Sequence, residues 1–255
     1  MGTVVLIVLG PAGSGKSTLV STYSKWLLSN GYSVTKVNLD PAADYLPYIP
    51  DYDVRDFVSA RELAIREGLG PNSALLVAMD RVCNYLSDLI NYLVKVGSDY
   101  VLIDTPGQME VFLFREVSSR LVSELRRGGF SSTYALFVVG ADLIRDSRDY
   151  VLSSLMALAT QLRLDVDSAL VINKVDVFSE SVSRLSGDLI RDYEVVINGL
   201  STESLYSELL KELLPVITKY LRSTEVPKVS ALKGYGMEEL HRLVHELSCV
   251  CGDLT

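Results

Sequence analysis

The sequence predicts an α/β protein built on a mostly parallel sheet flanked by helices, and three observations predict it. Short apolar runs recur along the 255 residues, helical patterns separate them, and the most distinctive polar motifs follow directly after the runs. The runs are Val4 to Leu9, Ser33 to Leu39, Tyr100 to Ile103, Tyr134 to Val139, Ala169 to Ile172 and Pro227 to Ser230. Strands that are apolar on both faces belong to a parallel sheet covered by helices, and such sheets bind ligands beyond the strands' C-terminal ends. With 48% hydrophobic residues, no internal repeat and no long linker, residues 1–255 are expected to form a single domain.

Composition narrows the functions. Lys and Arg number 24 against 32 Asp and Glu, a net charge of −8, and no basic cluster marks a nucleic-acid face. Direct nucleic-acid binding is therefore disfavoured. Cys83, Cys249 and Cys251 are too few and odd in number for a disulfide scaffold, which fits a reducing compartment. No stretch reads as a membrane span, and the Val4 to Leu9 run lacks a basic n-region and ends in a Gly-rich turn. A cytoplasmic protein without a membrane partner is expected.

The first motif is G-P-A-G-S-G-K-S, Gly10 to Ser17, between the first strand and a helix beginning near Ser17. It is a complete Walker A pattern and predicts a three-layer P-loop NTPase fold. The backbone of Gly13, Ser14 and Gly15 and the helix start through Thr18 can surround phosphate oxygens. Lys16 can reach the β and γ phosphates, and the Ser17 hydroxyl can join a Mg²⁺ shell.

D-T-P-G-Q, Asp104 to Gln108, follows the Tyr100 to Ile103 strand. A carboxylate at that strand end, Asp104, can hold Mg²⁺ through water. Gly107 can offer its N–H to a γ-phosphate, and Gln108 is placed to orient an attacking water.

N-K-V-D, Asn173 to Asp176, follows the Ala169 to Ile172 strand. Asp176 can accept from N1–H and the exocyclic amine of guanine; adenine lacks N1–H and would leave a carboxylate oxygen unpaired. Discrimination of that kind reaches about 10⁴-fold. Asn173 would brace the loops around the base, the Lys174 stem would lie along its face, and Ala231 of S-A-L-K would offer its N–H to guanine O6. These elements in this order predict a GTPase that cycles between GTP and GDP with Mg²⁺.

The flanking residues narrow the class. Gly10 to Thr18, N-L-D-P-A-A-D (Asn38 to Asp44), G-P-N (Gly70 to Asn72), D-T-P-G-Q-M-E and N-K-V-D closely resemble the GPN-loop GTPases over nearly the whole chain. Met109, where Ile or Leu is expected, is the one small departure. The stop at Thr255, without the longer C-terminal extension of eukaryotic relatives, makes an archaeal-type member the expectation.

Locally, Gly70, Pro71 and Asn72 read as a turn in which Asn72 caps the helix whose apolar positions begin at Leu75. The resemblance adds a second role. It implies a homodimer in which the G-P-N loop, carried on a helical insertion at about 41–97, enters the partner's site and directs Asn72 toward the phosphates. It also places Asp40 in the first switch, at the Mg²⁺ shell or as proton acceptor for the attacking water. Lys16, Asp40, Asn72 and Gln108 are thus the expected catalytic group, and Ser17, Asp40 and Asp104 the expected metal group. Assistance to RNA polymerase assembly, as a protein client, follows from resemblance alone.

Leu75, Leu76, Met79, Val82, Leu86, Leu89, Ile90 and Leu93 have the spacing of one buried helical face spanning Ala74 to Val94. Tyr45, Tyr48 and Tyr52, set among Pro47 and Pro50, are candidate aromatic anchors for a partner. His241, His245, Cys249 and Cys251 suggest a metallochaperone-type GTPase as the alternative, although they do not converge on one helix face. A membrane-attached MinD-like ATPase is disfavoured because its second P-loop lysine would fall at Pro11, and N-K-V-D opposes ATP.

Overall fold

Val4 to Leu9 is buried at all but its first residue and forms β1, the apolar strand that feeds the Gly-rich loop. The computed structural model describes residues 2–177, 179–200 and 204–249, in two compact units, 1–134 and 135–255.

The first unit carries β1 (Val4–Leu9), β2 (Val34–Asn38), β3 (Tyr52–Asp53) and β4 (Tyr100–Asp104) in the order β3-β2-β4-β1, every pair parallel. Its helices are α1 (Lys16–Ser29), α2 (Ala60–Glu67), α3 (Pro71–Val82), α4 (Leu86–Val96), α5 (Met109–Leu113) and α6 (Glu116–Arg127). Register does the positioning. Asp104 lies opposite both Val8 of β1 and Asn38 of β2, so three strands end at one level. The loops that leave them carry the Walker A residues, Asp40 and D-T-P-G-Q.

The second unit pairs β5 (Thr133–Gly140), which starts at the end of the first unit, in parallel with β6 (Ser168–Asn173). Its helices are α7 (Ser147–Leu164), α8 (Glu180–Ser183), α9 (Tyr193–Gly199), α10 (Leu205–Tyr220) and α11 (Met237–Cys249). Gly140 and Asn173 are register partners, so here too the loops after two strands start level. The α/β class with parallel strands is the one the sequence predicts.

Four local expectations change. Pro227 to Ser230 is not a full strand: Ile172 N–H donates to Pro227 and Val229 N–H to Ile172, a single bridge. Pro227 has no N–H of its own to extend the ladder. β3 was not visible in the sequence because it spans two residues. The Ala74 to Val94 pattern divides into α3 and α4 around a 3₁₀ turn, Cys83–Tyr85, which keeps both apolar faces inward and so leaves the spacing unbroken. All eight named positions are buried except Leu76.

Asn72 is not a cap. Gly70 is the N-cap of α3 and Pro71 the first helical residue, which places Asn72 inside the first turn, with no side-chain cap bond at this terminus. Proline is favoured at that first position because its missing N–H would be unpaired anyway.

Candidate functional site

In the phosphate-side loop, Gly10, Gly13 and Gly15 have φ of 144°, 74° and 89°. Side chains rarely adopt such angles, so glycine at these positions lets the loop curl back on itself. Lys16 is buried and donates from Nζ to the carbonyls of Gly10 (2.9 Å) and Pro11 (3.1 Å). Burial lowers its pKa, while nearby Asp104 and Asp40 oppose that shift. A phosphate chain offers this ammonium more charge than two carbonyls do.

Asp104 is 1% exposed. Burial pushes its carboxyl up to about 6, against hydrogen bonding from Ser17 and Tyr48 and the pull of the Lys16 ammonium. The Tyr48 phenol donates to Oδ2 at 3.0 Å, whereas Oδ1 is buried without a hydrogen-bond partner among the described residues. Tyr48 is half-buried and its hydroxyl is directed to this carboxylate. Tyr52 lies in β3, 9% exposed, and Tyr45 alone of the three is open, at 81%.

Asp40 is half-buried, and burial raises its pKa against the backbone N–H donors of Ala42 and Gly107. The Gly107 N–H, expected for a γ-phosphate, here lies near the Asp40 carboxylate and favours its charged form. Sequence reasoning missed what holds Asp40. Fully buried Asn38 accepts the Asp40 N–H at 3.0 Å and donates to the Asp40 carbonyl at 3.2 Å and to Asp53 Oδ1 at 2.9 Å. Arg55 chelates Asp53, with Nη2 2.6 Å from Oδ2, and gives Nη1 to the Ala43 carbonyl at 2.8 Å. Only the N-L-D triplet hinted at Asn38; nothing local pointed to Arg55.

Gln108, Gly70, Pro71 and Asn72 are exposed. Gln108 Nε2 donates to Asn72 Oδ1 at 3.5 Å within the same chain, a long contact. Helix α3 is fastened to the segment after Gln108 by Asp80, whose Oδ2 is 2.5 Å from Arg115 Nη2.

The oxygen donors here suit a magnesium ion: a hydroxyl at Ser17, carboxylates at Asp40 and Asp104, and no sulfur or imidazole among them. The unpartnered Oδ1 of Asp104 is the atom such an ion, or its water, can satisfy.

In the second unit, Asn173 Oδ1 accepts from the Ala231 N–H at 2.9 Å, tying the N-K-V-D and S-A-L-K loops. The donor expected for guanine O6 is thus given to Asn173 in this structure. Ser230 donates to Asp176, and Lys174, in the left-handed region at φ 62°, extends Nζ to within 3.1 Å of Asp142. Holding a lysine in that backbone region costs energy and marks a loop shaped for a task. His241 is half-buried and His245 exposed; Cys251 and the Cys249 side chain lie outside the described residues. Among the described residues, no group of three His, Cys, Asp or Glu could hold a metal ion, and no helix is long and apolar enough to cross a membrane.

A glycine loop running into a helix after β1, acidic residues beyond the ends of the neighbouring β2 and β4, and an N-K-V-D tetrapeptide after β6 define the class of P-loop nucleotide hydrolases. The chain belongs to the GPN-loop GTPase family. It is 34% identical over 255 residues to GPN-loop GTPase PAB0955 of Pyrococcus abyssi, covering 99% of this chain and 100% of that one. It is 35% identical over 195 residues to GPN-loop GTPase 3 of Dictyostelium discoideum, covering 76% of this chain and 68% of that one. The family described as "Conserved hypothetical ATP binding protein" matches residues 8–250. Among solved structures, the apo-form GTPase PAB0955 from Pyrococcus abyssi superposes with a TM-score of 0.86 at 33% identity, covering 97% of this chain and 98% of that chain.

Proposed function

We propose that this chain hydrolyses GTP to GDP and phosphate with Mg²⁺, as a homodimeric switch in which each Gly70-Pro71-Asn72 loop completes the partner's site. The observation that carries the reading is the level ending of β1, β2 and β4, which gathers Lys16, Asp40 and Asp104 beside exposed Gln108 and Asn72.

The first unit supplies phosphate chemistry. Lys16 exchanges the Gly10 and Pro11 carbonyls for phosphate oxygens, and the N–H groups from Gly13 to Thr18 line the chain. Magnesium, held by Ser17 and through Asp104, with Asp40 nearby, supplies charge neutralisation on the phosphates. A γ-phosphate taking the Gly107 N–H draws that donor away from the Asp40 carboxylate, which leaves Asp40 to accept from the attacking water. Gln108 orients that water. An amide from Asn72 can then stabilise charge developing on the transferred phosphoryl group. The second unit reads guanine through Asp176, with Asn173 bracing its loops and the Lys174 stem along the base.

Exposure of the G-P-N loop supports action in trans, because a partner can reach it. The contact between Asn72 and Gln108 supports a second reading, in which Asn72 orients Gln108 within its own chain. Mixing decides between them. Asn72→Ala has an intact P-loop and Lys16→Ala an intact G-P-N loop, so a heterodimer of two nearly inactive chains regains GTPase activity only if the loop crosses between subunits. Verified heterodimers that stay inactive refute the trans role.

A switch of this kind also fits an assembly factor with a protein client. Tyr45, Ile49 and Ile65, 81%, 85% and 78% exposed, give the switch segment and α2 apolar groups that a client can read. Affinity purification of the Gln108→Ala protein with GTP from its native cells, against the GDP form, tests for that client; RNA polymerase subunits are the first to look for.

A further inference from the structure

Segment 44–51 connects the Asp40 turn to β3 and is fixed at two points. Ser21 of α1 donates from Oγ to the Pro47 carbonyl at 2.8 Å, and Asp51 Oδ2 accepts from the Lys36 N–H at 2.7 Å and from its Nζ at 2.8 Å. Within this segment Tyr45 and Ile49 face outward, while the intervening Tyr48 sends its hydroxyl inward to Asp104 Oδ2. The anchor is close to the phosphate loop in the chain, since Ser21 lies one helical turn beyond Ser17.

An aspartate's terminal torsion is broad, so the covalent structure does not decide which way its carboxylate plane faces. A donor on one oxygen biases it, here the Tyr48 phenol on Oδ2, beside the Ser17 hydroxyl that also bonds this carboxylate. A neutral phenol does this without cancelling the carboxylate's charge, as an arginine would, and leaves that charge for a cation. The other oxygen, Oδ1, is the buried atom with no hydrogen-bond partner among the described residues.

We propose that Tyr48 is a positioning residue for the divalent-cation site, its hydroxyl holding Asp104 Oδ2 so that Oδ1 is presented to the cation's water shell. Ser21 serves the same end by holding Pro47. The inference rests on the nucleotide and Mg²⁺ reading above. It predicts a defect in cation response separate from any defect in nucleotide affinity, because the hydroxyl removed bonds the carboxylate.

The test follows release of N-methylanthraniloyl-GDP from the full chain as Mg²⁺ is titrated, with EDTA as the cation-free limit. Tyr48→Phe keeps the ring and removes the hydroxyl. Loss of a partner behind a metal-ligating group typically weakens metal affinity by 10- to 100-fold, and about tenfold is expected here in the Mg²⁺ midpoint. Ser21→Ala should raise the midpoint by about threefold, and release in EDTA should stay within about twofold of the parent for both. An unchanged midpoint in Tyr48→Phe overturns the proposal. So does a lowered midpoint, which would make the hydroxyl a competitor of the cation, or faster release in EDTA by the same factor, which would make it packing. A parent chain that holds the nucleotide without any Mg²⁺ response removes the cation reading and this inference together, whereas one that does not hold it refutes the nucleotide reading itself.

Discussion

The phosphate-side loops of the first unit and the base-side loops of the second are built from the same kinds of polar residue, yet they are satisfied differently. On the base side, Asn173 is bonded to Ala231, Asp176 to Ser230 and Lys174 to Asp142. On the phosphate side, Lys16 rests on two carbonyls, burial raises Asp40 and Asp104, and Asp104 Oδ1 has no hydrogen-bond partner among the described residues. The N-K-V-D side is internally bonded; the Walker A side holds buried carboxyl groups and an unpartnered Asp104 oxygen, an electrostatic state that a ligand can improve. That asymmetry gives a ligand something to act on, because a ligand moves an equilibrium only through its differential interaction with the two states.

The largest expected effect breaks the internally bonded side. Asp176→Asn reverses one hydrogen-bond polarity, which costs guanine a contact and suits the extra carbonyl of xanthine. A swing of about 10³-fold in the ratio of GTP to xanthosine triphosphate affinity is expected from paired titrations. Equal GTP affinity in parent and variant would remove Asp176 from the base pocket.

Next in size is hydrolysis on the unsatisfied side. Gln108→Ala should bind GTP nearly as the parent does and turn over about 10²-fold more slowly, since it removes a group that acts mainly in the transition state. Single-turnover kinetics would show it. Turnover equal to the parent's would shift water positioning to Asp40.

How much of this was legible in the sequence follows from how local each determinant is. The Walker A glycines, D-T-P-G-Q and N-K-V-D could be read because each is a short run fixed by the strand before it. Pro71 also carried a local signal, its preference for the first helical position, which should have moved the N-cap from Asn72 to Gly70. Tyr48 could not be read this way. Its meeting with Asp104 spans 56 positions and depends on how segment 44–51 is fixed to Ser21 and Lys36. The same holds for Asn38 and Asp53, which meet because β2 and β3 pair in register, whereas Arg55 reaches Asp53 locally, two residues on. Among the tyrosines, spacing alone could not separate Tyr45, which is exposed, from Tyr48, which is not.

A smaller effect follows from the cost of the buried carboxylate. Asp104 has a folded pKa near 6 against an ordinary 3.8, so its neutral form is favoured in the folded chain. That stability is fully present below about pH 4 and is lost as pH rises through about 6. At pH 7.5 the nucleotide-free Asp104→Asn chain should therefore be more stable than the parent by roughly 1–2 kcal/mol, with the gain shrinking on acidification. Denaturant unfolding at pH 7.5 and 5 checks both parts. A variant less stable than the parent at pH 7.5 would mean that the carboxylate is already compensated, and the contrast between the two regions would weaken.

The smallest expected effect concerns the G-P-N loop, and its size is the point. An asparagine cap replaced by alanine typically costs about 1 kcal/mol. Asn72 lies inside the first turn of α3 behind Pro71, is exposed, and among the described residues its side chain has one hydrogen bond, a long 3.5 Å contact with Gln108. Alanine also has the higher helix propensity at such a position. Asn72→Ala should therefore change unfolding free energy by no more than about 0.5 kcal/mol while it lowers GTP turnover. If stability falls by a full cap's worth and turnover stays normal, the loop is a helix start and nothing more. If stability holds and turnover falls, Asn72 belongs with the phosphate-side residues whose interactions are completed by nucleotide, although its position on an exposed helix start gives no sign of the buried electrostatics that mark the others.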